Sequence, residues 1–256
     1  MDVRILGAHN IESADTGFTS VLIDNVLAVD AGALTSGLTF KEQQKLKAIL
    51  LTHHHYDHIR DIPAIGMNFY LQRMSLDIFA PASVKEAMLA HLINETLYPD
   101  FTVKSQEKPS LRIHIMEASK KETISGYEVL PVAMKHAVPT VGYQITSPDG
   151  KKVFITSDTG PGLADVWRQV SPDLLMIELT LPNKQDTFAH ESGHLTPALL
   201  QKELESFYNL KNYLPQIVLM HLNPLDDKEI KTEVQAVEKA LQTKLTFSTE
   251  GMIVKL

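Results

Sequence analysis

The chain has 256 residues, 44% of them hydrophobic, which suffices for one sizeable core and leads us to expect a single domain over residues 1–256. With 24 Lys+Arg against 31 Asp+Glu the formal net charge is −7 and no basic run occurs, which argues against a long nucleic acid as partner and for a small substrate. The absence of cysteine excludes disulfides, thiolate nucleophiles and thiolate metal ligands, and the lack of any run of 18 apolar residues or of a secretory leader points to a cytoplasmic protein with no membrane attachment; a homo-oligomer is left open.

In chain order, short apolar runs predict strands at residues 3–6, 19–23 and 26–29, with Asp24-Asn25 as a hairpin turn between the last two. Residues 47–51 read as a buried strand. A helix is expected over 59–70 and another over 83–97, the second opened by a Ser83/Glu86 capping box. Strands follow at 111–116, 127–133, 141–146 and 153–156, the last pair separated by the turn Pro148-Asp149-Gly150. Residues 174–179 form the next apolar strand. Thr196-Pro197 reads as an N-cap with proline in the first turn of a helix to about 208. A strand at 217–220, an amphipathic helix at 226–241 with Ile230, Val234, Val237 and Leu241 on one face, and two short strands complete the order. Strands and helices thus come in two halves, as expected for an α/β (α+β) chain with two sheets packed face to face and helices outside.

The chemistry concentrates in His53-His54-His55-Tyr56-Asp57-His58, directly after the buried strand 47–51. Three imidazoles and a carboxylate spaced H-x-H-x-D-H suit a pair of metal ions, His53 and His55 reaching one and Asp57 and His58 the other. His54 and Tyr56 then read as spacers. Two ions need about seven or eight protein ligands when a water bridges them. His136, Asp158 and His221 each end a predicted strand, and although any one alone is an ordinary polar residue, together they complete the count. One ion would take His53, His55 and His136, the other Asp57, His58 and His221, with Asp158 as the bridge. Nitrogen and oxygen donors suit two divalent ions, zinc first, with manganese or iron as alternatives. His190 and His194 also stand out, one of them with no expected chemistry.

H-x-H-x-D-H, a later His, Ser157-Asp158-Thr159-Gly160 and a strand-end His, in that order, resemble the metallo-β-lactamase-fold hydrolases, which implies a four-layer αββα sandwich with a dinuclear centre. Lys135-His136-Ala137-Val138-Pro139 with Gly142-Tyr143, Glu178-Leu179-Thr180 and Gly193-His194-Leu195-Thr196 resemble the branch that contains ribonuclease Z. Thr16-Gly17-Phe18-Thr19-Ser20, Ile62-Pro63, Tyr98-Pro99-Asp100-Phe101 and Leu181-Pro182-Asn183 are similar to the class II cyclic-nucleotide phosphodiesterases, although the loop Gly7-Ala8-His9-Asn10 lacks the glycine pair of that group. The resemblance implies phosphodiester hydrolysis, with a metal-bridging hydroxide attacking a 3′,5′-cyclic nucleotide. Asp57 would ligate and orient, His194 would face the phosphate as a proton or hydrogen-bond donor, and Glu178 would orient His194. Asp30, in a strand-end D-x-G, would hydrogen-bond the histidine loop. Three other functions compete: a ribonuclease Z-like tRNA 3′-end endonuclease, for which the span from His136 to Asp158 leaves no room for a tRNA-holding arm; a thioester or lactone hydrolase; and a non-catalytic diiron module.

Overall fold

The computed structural model describes residues 1–104 and 108–256. They fall into two compact units. Unit 1 comprises Met1–Gly7, Glu12–Glu117 and Thr249–Lys255; unit 2 comprises Ala8–Ile11, Ala118–Ser248 and Leu256.

Unit 1 is built on a seven-stranded mixed sheet. Its strands are β1 (Asp2–Gly7), β2 (Ser20–Ile23), β3 (Leu27–Val29), β4 (Ala48–Leu50), β5 (Leu76–Ala80) and β6 (Leu111–Ile115), and Ile253–Lys255 lies on the free edge of β1. The pairings from that edge strand to β3 are antiparallel and those from β3 to β6 are parallel. Central parallel strands are covered on both faces, which is why β3 and β4 carry only apolar residues and are wholly buried. The expected turn between β2 and β3 is present, with Asp24 and Asn25 both at positive φ (47° and 59°) as a two-residue hairpin requires.

Unit 2 repeats the plan. Its sheet runs β7 (Glu122–Ile124), β8 (Tyr127–Ala133), β9 (Val141–Thr146), β10 (Lys152–Ile155), β11 (Leu174–Glu178), β12 (Gln216–Met220) and β13 (Leu245–Phe247), so the edge strand of unit 1 is β14. Three antiparallel pairings from β7 to β10 give way to three parallel ones from β10 to β13. The helices Pro197–Lys211 and Asp227–Leu241 pack their apolar faces into this unit's core; Ile230, Val234 and Val237 are buried, each contributing about 1.5–3 kcal/mol of transfer free energy. Unit 1 has its own core, centred on Ile49, Ile62, Ile65, Phe69 and Ile78.

The α/β class with two mixed sheets matches the sequence reading, and strands β8 and β9 coincide with it residue for residue. Elsewhere the local structure differs. The helix expected over 59–70 is two pieces, Tyr56–Ile59 and Ile62–Leu71, so half of the histidine motif is itself helical. The helix expected over 83–97 starts at Ala82, widens into a π-type turn over Met88–Leu92 and stops there. Pro81 holds its N-cap position with no side-chain cap, so Ser83 lies inside the first turn and the Ser83/Glu86 capping box does not form. The box that does form is Thr39 with Glu42. No helix of the described residues is long and apolar enough to cross a membrane.

Candidate metal centre

In both units the chemistry lies at the carboxyl ends of the strands where antiparallel pairing turns parallel. Asp30 follows β3, Thr52 and His53 follow β4, Asp158 follows β10, Glu178 ends β11 and His221 follows β12. Strand carboxyl ends at such switch points leave backbone and side chains pointing into open space, where ligands collect. Two of these positions, Asp30 (φ 60°) and His221 (φ 55°), and Ser157 (φ 58°) just before Asp158 hold residues other than glycine in the left-handed region. That conformation costs of order 1 kcal/mol each and collects where side chains must be aimed.

In unit 1 the histidine motif is anchored from below by Asp30. The Ala31 N–H donates to the His58 carbonyl at 2.7 Å and the Asp61 N–H to the Ala31 carbonyl at 2.9 Å, which pins the turn after β3 to the short helix Tyr56–Ile59. Gly32 is required by that close approach, because a Cβ there would collide with the carbonyl oxygen of Asp57. The buried Asp30 carboxylate accepts from Thr52 N–H (2.9 Å), from the Thr52 hydroxyl (2.9 Å) and from His58 Nδ1 (2.7 Å). The Thr52 oxygen lies 3.1 Å from His53 Nδ1 and can accept its proton while donating its own to Asp30. One carboxylate therefore sets two imidazoles, His58 directly and His53 through a hydroxyl, with each Nδ1 protonated and each Nε2 carrying the lone pair. His53 Nε2 lies 3.1 Å from His55 Nδ1, close to the ligand–ligand edge of a tetrahedral site with bonds of about 2.1 Å. Asp57 Oδ2 is 3.4 Å from His58 Nε2. Burial pushes the Asp30 carboxyl above its ordinary value, against the pull of His58 and Thr52.

Unit 2 repeats the device. Glu178, 1% exposed, accepts from His194 Nδ1 (2.8 Å), Thr159 N–H (2.9 Å), the Thr180 hydroxyl (2.9 Å) and Leu195 N–H (3.2 Å). The Thr180 oxygen lies 2.8 Å from His221 Nδ1, so Glu178 sets His194 directly and His221 through a hydroxyl. His136 is fixed in the same sense by its Nδ1 donating to the Gly193 carbonyl at 2.9 Å. Gly193 sits at φ 74°, and a Cβ on it would come within 2.8 Å of His136 Cα. Asp158 Oδ2 lies 3.3 Å from His221 Nε2 and 3.8 Å from His136 Nε2, so one carboxylate oxygen faces both rings. Burial lowers the His136 pKa, which keeps the imidazole neutral and its lone pair available near neutral pH.

Glu178, His194 and His221 also offer ligand atoms within 4.8 Å of one another. The Glu178 oxygens already accept four donors, so this trio is engaged as a hydrogen-bond network. His194 is partly open to solvent (side chain 16% exposed), and its ring stacks on His221 at 5.4 Å. His190 instead lies on the helix Asp186–Ser192 with a half-exposed side chain, 3.9 Å from Asp186.

The structure thus gathers His53, His55, Asp57 and His58 with Asp30 in unit 1, and His136, Asp158, His221, Glu178 and His194 in unit 2. The donor set fits a divalent metal: it offers only nitrogen and oxygen, and the Nδ1 atoms of His53, His58, His136 and His221 are held by a hydroxyl, a carboxylate or a carbonyl, which fixes how each ring is turned. Sequence reasoning missed Thr52, whose signal is a Thr immediately before a ligand-type His, and quoted Thr180 only within the motif Glu178-Leu179-Thr180, without a role.

The β-lactamase superfamily domain matches residues 19–222, a stretch that runs through both units, and the chain belongs to that family. It is a metal-dependent hydrolase of this superfamily, whose members use divalent metals. The chain is 26% identical over 280 aligned residues to ribonuclease Z of Bradyrhizobium sp. (strain ORS 278), covering 90% of this chain and 89% of that one. Among solved structures it is similar to unliganded yeast PDE1 (TM-score 0.85, 15% identity, 100% of this chain and 99% of that one) and to the short form of human tRNase Z, ELAC1 (TM-score 0.71, 20% identity, 100% and 99%).

Proposed function

We propose that the chain is a phosphodiesterase that cleaves a small phosphodiester, a 3′,5′-cyclic nucleotide, with His53, His55, Asp57, His58, His136, Asp158 and His221 as the ligands of two divalent ions, zinc foremost. The observation that carries the reading is the Glu178–His194 pair at 2.8 Å, stacked on His221 and partly open to solvent. When bound, the ions supply the charge that neutralises the non-bridging phosphate oxygens and lowers the pKa of a water. His194, its Nδ1 held by a buried carboxylate, presents Nε2 to the phosphate and stabilises positive charge on the ring, as proton donation to a leaving alkoxide requires. Asp57, only 21% exposed, orients the attacking water. A thioester or lactone, whose leaving group needs less help, gives Glu178 and His194 less to do.

A second reading, tRNA 3′-end cleavage, is favoured by the ribonuclease Z relative that aligns over 90% of the chain. Against it, the hairpin of β9 and β10 fills the span from His136 to Asp158, and the net charge is −7. We infer a protein of the cytoplasm acting on a small molecule rather than on nucleic acid or a membrane. The deciding experiment is a hydrolysis panel on metal-replete protein with cyclic AMP, cyclic GMP, a 2′,3′-cyclic nucleotide, pre-tRNA and a thioester. Turnover of the 3′,5′-cyclic nucleotides supports the reading, turnover of pre-tRNA alone transfers it to the endonuclease, and turnover of the thioester alone rejects it.

A further inference from the structure

Tyr56 is an outlier in its surroundings. His53 and His58 are fully buried and His55 and Asp57 are partly so, yet the ring between them is 60% exposed. It opens the short helix that carries Asp57 and directly follows His55, so its backbone is shared with two of the candidate ligands. The ring is also braced. Phe18 meets it edge-to-face at 6.5 Å and 83°; the Arg60 guanidinium lies 5.3 Å from the Phe18 centroid; and Arg60 is itself held by ion pairs to Glu12 and Asp61. An exposed tyrosine with no task is commonly mobile. This one is supported by an aromatic ring, a cation and two carboxylates, all within unit 1, and an edge-to-face neighbour does not stack on it in parallel. Phe18 is its ring partner among the described residues.

We propose that Tyr56 is a stacking platform for a nucleobase of the substrate. The inference rests on the phosphodiesterase reading for what the base is attached to. Stacking suits any base, since each has a π-face, and supplies affinity without distinguishing adenine from guanine. Phe18 and Arg60 are positioning residues behind the platform.

The test is calorimetric binding of AMP, GMP and ribose 5-phosphate to metal-replete wild type, Tyr56→Phe and Tyr56→Ala. The two nucleotides share the phosphate and sugar of the third ligand, so the ratio of affinities isolates the base. Wild type and Tyr56→Phe are expected to bind both nucleotides about tenfold more tightly than ribose 5-phosphate, and Tyr56→Ala about equally. An unchanged ratio in Tyr56→Ala, or no preference in wild type, overturns the platform. Cyclic AMP and pre-tRNA assayed with the same proteins separate the two sources of a base: KM rises about tenfold in Tyr56→Ala for the substrate that uses the platform, and an unchanged KM for every substrate that wild type cleaves overturns it. The hydrolysis panel stands apart from these ratios. If wild type cleaves no phosphodiester while the binding ratio collapses in Tyr56→Ala, the phosphodiesterase reading falls and the platform stands.

Discussion

Replacing Asp30 with Asn isolates what the buried carboxylate does for the histidine loop. Asp30 sits at φ 60°, a conformation that Asn tolerates as well as Asp, so the substitution adds no backbone strain. The Asn carbonyl can still accept from the Thr52 N–H, now 2.9 Å from Oδ1. The amide nitrogen then replaces the oxygen that takes the His58 Nδ1 proton at 2.7 Å, and two donors face each other. The imidazole escapes by moving its proton to Nε2, the nitrogen proposed above as the metal ligand. Losing the partner behind a metal-binding histidine typically weakens metal affinity by about 10- to 100-fold, which corresponds to about 1.4–2.8 kcal/mol. Charge-assisted hydrogen bonds contribute about 1.5–3 kcal/mol each, so the metal-free variant also loses stability of that order. A competition titration of zinc against a chromophoric chelator, with thermal melts of the chelated protein, measures both quantities. Zinc affinity within twofold of wild type in a folded Asp30→Asn protein refutes the account of Asp30 as the residue that sets these imidazoles.

Four further outcomes follow from the same geometry. Thr180→Val removes the hydroxyl between Glu178 and His221 and is expected to weaken zinc binding several-fold at a net cost near 1 kcal/mol, with Thr180→Ser close to wild type in the same titration. His194→Ala should keep its zinc, measured by elemental analysis, and lose most turnover; normal turnover removes His194 from the chemistry. Glu203→Ala strips the acceptor from Gly162 N–H (2.6 Å), Leu163 N–H (3.0 Å) and Trp167 Nε1–H (3.2 Å), and denaturant unfolding should show a loss of about 3 kcal/mol or more. Glu42, whose hydrogen bond from Arg4 above all and then from Thr39 lowers its pKa from 4.5 to about 2, stabilises the fold above pH 4.5 and loses that contribution as pH falls toward 2. The stability gap between wild type and Glu42→Gln, read from melts, is therefore widest above about pH 5, closes near pH 2, and stays within about 1 kcal/mol because the Arg4–Glu42 pair is still partly open to solvent, its side chains 28% and 27% exposed.

Much of this was legible in the chain itself, for identifiable reasons. Strands β8 and β9 follow from apolar runs bounded by turn residues, and the helix from Pro197 from its Thr196 cap, whose oxygen accepts the Leu199 N–H. Short elements escaped: β7 has three residues, two of them polar, β5 carries Asp77 in its middle, and the helices Ala164–Gln169 and Asp186–Ser192 are too brief for a period to register. Histidine and aspartate at strand ends are scarce enough to stand out. Threonine is not, and the role of Thr180 depends on the parallel pairing of β11 with β12, which brings it to a histidine 41 residues away. The candidate residue types were therefore readable, and the part played by Thr180 was not, because only the sheet register brings it to His221.

The edge strand β14 carries a consequence for how the chain is made. All other strands of its sheet lie before Glu117, yet β14 joins them from residue 253, after the whole of the 118–248 stretch has been synthesised. During translation the β1 edge stays open until residues 253–255 follow, a delay of about tens of seconds at ordinary elongation rates. An open edge is a template for intermolecular pairing. Here β1 shields itself in part, with Asp2 and Arg4 as polar residues on an otherwise apolar strand.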